Sequence, residues 1–317
     1  MGSKMAGMDD PSLAPRAGWR RWFHGDEGLR AGWCLARFIV LYLLLTAGAT
    51  WLYLRLDTAA AQAAGWEPRA LLASEAISLL AALICVALSA RLEHRRWEAY
   101  GLAPRAAFGR RFWEGVLWGA VPVSALIAAI WAAGGWSAAG LAESGGALVR
   151  FAVLWALAFL LVGVNEEVLF RGYTLLTLAR GIGFWPAALA LSTLFGMLHY
   201  FTKPMETWAD GLSTGLLGLF LCYTVRLTGD IWLAAGFHFG WNFLALAVFG
   251  GPNTGNDGKP LTGHLLASSF HGPPWLTGGP MGPEASLLVF PVIAALFAAC
   301  AWRFRRGGAA AGLQVGP

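Results

Sequence analysis

The chain alternates long apolar runs with short basic or glycine-rich connections, a pattern that predicts helices. Crossing a hydrocarbon core takes about 20 mostly apolar residues. Eight runs are candidates, roughly 33–54, 70–90, 112–134, 147–166, 184–201, 211–227, 231–249 and 286–303. The fourth has no clean end, because apolar character resumes after Arg171 over 173–178. One long helix over roughly 148–179, with a charged centre, is the expectation there. The stretch 250–285 is rich in Gly, Pro, Asn and Ser and predicts a mostly irregular loop. Its His264 and His271 read as solvent-exposed loop histidines rather than ligands. The expected fold is all-α, a polytopic integral membrane bundle of about eight transmembrane helices. One membrane domain covers 32–306, between a polar cytoplasmic tail (1–31) and a C-terminal tail (307–317). The first tail does not read as a cleavable signal, since apolar character opens only around Trp33.

Composition agrees with a lipid-facing exterior. Hydrophobic residues make up 57% of the 317 positions and charged residues 13%, and the mean hydropathy is +0.56. Soluble domains carry about 25% charged residues, so this chain lacks the polar surface to sit in water. The net charge of +5 does not point to nucleic acid, because the arginines cluster just outside apolar runs. Arg16, Arg20, Arg21 and Arg30 precede the first run, and Arg91, Arg95, Arg96, Arg105, Arg110 and Arg111 separate the second from the third. Arg171 and Arg180 follow the fourth, Arg226 lies between the sixth and seventh, and Arg303, Arg305 and Arg306 follow the last. These are alternate connections, so the positive-inside bias puts both termini in the cytoplasm, which suits an even span count. The expected location is a bacterial-type cytoplasmic membrane, with the lipid bilayer as a constant partner. Cys34, Cys85, Cys222 and Cys300 all fall in apolar segments and read as packing residues, not a disulfide framework.

A charge at mid-bilayer costs roughly 2.5–3.5 kcal/mol on insertion scales, so such residues face a bundle interior and mark function. Here they gather in three places. In Glu166-Glu167-Val168-Leu169-Phe170-Arg171-Gly172, Glu167 and Arg171 are four apart and share a helical face. Glu166 projects about 100° away without that partner. Desolvation and a charged neighbour then favour a carboxyl that takes up a proton near neutral pH, as a general base must. The plainer reading is a helix end with an ordinary Glu–Arg pair. His199 closes Phe195-Gly196-Met197-Leu198-His199, where Phe195 shares its face and can hold the imidazole. A lone histidine there also fits an interfacial structural role. His238 and Asn242 stand at i and i+4 and offer N–H donors at one spot, as a developing oxyanion requires. The same pair would equally serve as an interhelical hydrogen bond. Arg37 and Glu75 are the main other ionisable residues in the core, and they are expected to pair with each other or the bundle interior.

Taken in order, these three motifs resemble the CAAX prenyl protease and bacteriocin-processing (CPBP) family of intramembrane endopeptidases, which includes the type II CAAX prenyl endopeptidases. That family's pattern is two glutamates with Arg at the fourth position after the second, Phe-x-x-x-His, and His-x-x-x-Asn. The resemblance covers roughly 160–245 and implies an eight-helix membrane core. It makes Glu166 the water-activating glutamate, His199 its partner, His238 and Asn242 the oxyanion pair, and Arg171 a buried counter-charge paired with Glu167. The loop 250–285 has no place in the family pattern.

The expected function is therefore hydrolysis of a peptide bond in a membrane-associated protein or peptide, by a glutamate-activated water and without a cofactor. A zinc variant with Glu166, His199 and His238 as ligands is the alternative within this class, although no His-Glu-x-x-His is present. Two rivals lie outside it. One is a transporter using the buried Glu and His as a proton relay, which the lack of an internal repeat weakens. The other is a non-catalytic scaffold or immunity-type binding protein. Depth arithmetic adds a constraint. At 1.5 Å per residue, His199 lies about 22 Å into its span and His238 only about 10 Å, so convergence needs tilted or offset helices.

Overall fold

In the computed structural model, residues 24–25, 28–57, 66–203 and 205–306 are described. Arg16, Arg20, Arg21 and the tail 307–317 lie outside the described residues. After a small β1–β2 pairing (His24–Gly25 with Gly28–Leu29), the chain is a succession of helices. These are α1 (Ala31–Leu56), α2 (Pro68–Leu92), α3 (Arg110–Ala132), α4 (Gly145–Glu166), α5 (Leu175–Ile182), α6 (Phe184–Thr202), α7 (Trp208–Thr228), α8 (Trp232–Asn242) and α9 (Val289–Arg306).

Local chemistry sets several boundaries. Glu67 caps α2, accepting from the backbone N–H of Arg69 and Ala70, and Pro68 occupies its first turn, where no N–H is needed. Gly229 ends α7 in the left-handed conformation (φ 80°) that glycine adopts without penalty. A π-helical turn, Glu167–Thr174, joins α4 to α5 into one apolar helical stretch of 38 residues, Gly145–Ile182. The sequence expectation of one long helix with a charged centre holds for its extent but not its continuity, because the backbone leaves helical geometry at Gly172 (φ −80°, ψ −109°) and the helix kinks there.

Six helical stretches are long and apolar enough to cross a membrane: Ala31–Leu56, Pro68–Leu92, Arg110–Ala132, Gly145–Ile182, Phe184–Thr202 and Trp208–Thr228. The last two of the eight expected spans are shorter or more charged. α8 reaches 17 residues only with its π-helical extension, Phe243–Val248, and α9 ends in Arg303-Phe304-Arg305-Arg306. Large apolar side chains such as Leu43, Leu44, Leu117, Val121 and Phe201 stand exposed on the outer faces. Water would disfavour such a surface, and lipid accepts it.

α8 is the central helix, packed on α3 and α4 with Trp232–Phe237, Gly240 and Trp241 buried. Glycines let it approach α3 at backbone distance. A Cβ on Gly236 would stand 1.9 Å from the Phe112 carbonyl oxygen, and one on Gly119 would stand 2.2 Å from that of Phe237. This small-residue seam brings the backbones together as in membrane helix pairs.

Ion pairs gather the arginines at one end of the bundle: Arg37 and Arg180 on Glu93, Arg111 on Asp230, and Arg303 on Glu114. Arg37 thus pairs with Glu93 while Glu75 bonds Asn165, so of the two arrangements the sequence allowed, the direct Arg37–Glu75 pair does not form. Glu93 stands just past the end of α2, close to the start of α1, whereas Glu75 lies deeper in the bundle.

The stretch 250–285 closes the opposite end, and it is more ordered than its composition suggests. β3 (Trp136–Leu141) pairs antiparallel with β4 (Leu266–Phe270). Asn256 accepts from the Trp66 backbone at 2.9 Å, and Thr254 donates to Glu206. His271 is exposed as expected. His264 is instead half-buried and bonds the Leu261 carbonyl at 2.7 Å. All four cysteines are buried, and none is in a disulfide.

Candidate active site

The polar residues of the three motifs converge on a space between α4, α6 and α8. Glu167 is fully buried, and its Oε1 accepts from Arg171 at 3.0 Å and from His238 Nδ1 at 3.0 Å. The Glu167–Arg171 pair, on the π-helical turn after α4, is therefore part of a three-residue unit that reaches across to α8. The Glu167 carboxylate can only accept, so the Nδ1 proton is fixed and His238 turns Nε2 towards Glu166, 3.8 Å from Oε2. The π-helical turn starts at Glu167. Such an extra-wide turn re-aims consecutive side chains, and turns of this kind recur at functional sites.

His199 is tied from its own helix. Its Nδ1 lies 2.9 Å from the Phe195 carbonyl, a bond that requires N–H on Nδ1 and leaves Nε2 for other partners. The Phe195 ring sits between imidazole and guanidinium, 4.5 Å from the centre of His199 and 4.5 Å from Arg171. Arg171 fits beside Gly218, where a Cβ would come within 2.9 Å of its Nη2. An unbroken chain of contacts therefore runs His199–Phe195–Arg171–Glu167–His238–Glu166.

A cavity of about 130 Å³ opens on this chain, lined by Glu166, His199, His238 and Asn242. Apolar side chains, among them Val162, Leu217, Leu221, Phe237 and Leu246, form the rest of its wall. The two histidines thus share one space despite their different depths in their helices. Buried polar atoms without a hydrogen-bond partner concentrate here: Glu166 Oε2, Glu167 Oε2 and Arg171 Nη2. Native interiors leave few such atoms, and each unsatisfied one asks for a reason. Among the described residues, no group of three His, Cys, Asp or Glu side chains stands close enough to hold a metal ion. The Glu166, His199 and His238 set considered as a zinc shell does not form one in this arrangement.

Residues 147–244 match the family model described as type II CAAX prenyl endopeptidase Rce1-like. This segment is Rce1-like. The match agrees with the motif resemblance and covers every residue from Glu166 to Asn242. No curated protein and no solved structure matches the chain.

Three further polar residues line the cavity from outside the Rce1-like segment: Glu75 on α2, and Asn253 and Glu284 from the 250–285 stretch. Glu284 accepts from Trp241 Nε1 at 2.5 Å. Glu75 is legible in the sequence as a charge inside an apolar run. Nothing in a loop's composition singles out Asn253 or Glu284.

Proposed function

We propose that the protein is an intramembrane endopeptidase in which Glu166 activates the attacking water. The observation that carries this reading is the shared cavity, where a carboxylate oxygen without a partner faces two histidines and a carboxamide. Glu166 takes a proton from water as the oxygen adds to the scissile carbonyl. His199, whose Nδ1 is committed to the Phe195 carbonyl, holds that water through Nε2. His238 has Nδ1–H on Glu167, so donation from Nε2 to the oxyanion requires the imidazolium, with Glu167 as counter-charge. Asn242 supplies a second N–H donor. Glu166 then hands its proton to the leaving nitrogen as the C–N bond breaks. The substrate is a membrane-associated protein or peptide. The family description points to prenylated C-termini as the first class to try.

Cleavage of internally quenched peptides, prenylated and unprenylated, by the protein in liposomes tests this reading, with ion flux followed in parallel. Glu166→Gln should lower kcat by about 10²–10⁴-fold, as expected for loss of a general base. Asn242→Ala should lower it by about 10²–10³-fold, as for loss of one oxyanion donor. Both variants should melt like the parent in detergent. Turnover that survives Glu166→Gln would sink the mechanism, and ion flux without cleavage would favour a transporter.

A further inference from the structure

Two cavity carboxylates have no part in this mechanism: Glu284, which accepts from Trp241, and Glu75. Glu75 projects from α2 into the same space as Glu166. Asn165, immediately before Glu166, donates from Nδ2 to Glu75 Oε2 at 2.8 Å and to Ser78 Oγ at 2.8 Å. Ser78 is in turn bonded to Tyr42 of α1 at 2.6 Å. Side chains from α1, α2 and α4 thus combine to hold one oxygen of Glu75 in place. Among the described residues, its other oxygen has no hydrogen bond, and no arginine or lysine pairs with it.

That leaves a corner rich in acceptors and poor in donors. Glu75 Oε1 is unbonded, and Glu166 Oε2 and Asn165 Oδ1 are buried without partners. Asn165 is only 4% exposed. The charged groups elsewhere around the cavity are His199 and Lys203 at the end of α6, His238 on α8 and Glu284 before α9. The Arg171 side chain pairs with Glu167. Apolar walls such as Leu71 and Val162 complete the corner. A ligand that satisfies it must bring several N–H donors, and positive charge strengthens each bond to a carboxylate. A primary ammonium has three such donors on one atom.

We propose that Glu75 is the binding group for the amine half of the cleaved substrate. This rests on the endopeptidase reading, because hydrolysis is what creates that amine. When the C–N bond breaks, the nitrogen takes the proton held by Glu166 and leaves as a neutral amine. The new carboxylic acid then gives up its own proton to that amine, so the products are a carboxylate and an ammonium. Glu75 Oε1 accepts one of the ammonium N–H bonds and draws the product away from the carbonyl carbon.

The probe is a leucine-rich tripeptide with a free N-terminal ammonium, compared with its N-acetylated twin, titrated calorimetrically into the full-length protein in detergent. Wild-type protein should prefer the ammonium form by about tenfold to hundredfold, the usual value of a hydrogen bond to a charged group. Glu75→Gln still accepts from Asn165 but lacks the charge, and should abolish the preference while binding the acetylated peptide as before. Glu75→Asp keeps the charge and should retain part of the preference, which guards against a folding defect in the first variant. Equal affinities for the two peptides in wild type, no binding of the ammonium peptide, or a preference that survives Glu75→Gln would overturn the assignment. Glu166→Gln separates the two readings. It should be inactive yet keep the ammonium preference, whereas turnover in that variant would overturn the mechanism and leave the Glu75 measurement standing.

Discussion

At the scale of single residues, Glu167 has the most demanding position. Its side chain is fully buried, and one oxygen serves both Arg171 and His238 while the other has no partner. Removing one member of a buried ion pair leaves the other charge uncompensated, at a cost of about 3–5 kcal/mol. Arg171→Met should therefore lower detergent stability by about that amount, measured by thermal or denaturant unfolding. It should also free Phe195 and His199, because Phe195 rests on the guanidinium. A melting point unchanged from the parent would mean that Glu167 needs no counter-charge. The Glu167–Arg171 half of this unit was legible from a spacing of four residues. The bond from His238 was not, because it joins positions 71 residues apart and no local pattern encodes it.

At the scale of elements, Glu93 ties four segments of chain together. Arg37 of α1 and Arg180 of α5 pair with it, and the hydroxyls of Tyr173 and Tyr100 donate to it. Burial on its own would raise this carboxyl. The bonds from Tyr173, Arg180 and Tyr100 outweigh it and hold the group below the ordinary carboxylate range. The sign follows from proton linkage. A carboxyl depressed in the folded state binds protons better when unfolded, so its contribution is present above the unfolded value, about 4.3 for Glu. It is lost as pH falls through the folded value. The detergent-solubilised protein should destabilise progressively below about pH 4.3, and Glu93→Gln should be less stable at neutral pH with a flatter acid limb. A variant with the parent's acid profile would remove Glu93 from this role. The sequence made the arginine-rich connections plain but not their common target. Six arginines between two spans offer many partners to one carboxylate. Only packing shows that Arg37 reaches Glu93 and leaves Glu75 to the cavity.

At the scale of the whole molecule, the apolar runs were legible because lipid imposes a length and a composition on each crossing helix. Two helices escape that rule for different reasons: α8 is short and buried inside the bundle, and α9 ends in three arginines. The 250–285 stretch reads as irregular because β4, its one extended element, has its partner β3 far away in sequence. Its position now bears on function. Arg37, Arg111, Arg180 and Arg303 mark one end of the bundle through their ion pairs. The cavity lining includes residues of the other end: Trp66 before α2, Lys203 after α6, and Asn253 in the connecting stretch. If the arginine-rich end is cytoplasmic, as the positive-inside bias expects, the cavity lies towards the far end, and a substrate arriving from the cytoplasm must cross or sit deep in the bilayer. In a version with Cys34, Cys85, Cys222 and Cys300 replaced by serine, a single cysteine at Lys259 should react in intact cells with a membrane-impermeant maleimide. One at Arg105, between α2 and α3, should react only after the membrane is opened. The reverse pattern would put the cavity mouth in the cytoplasm, within direct reach of prenylated C-termini.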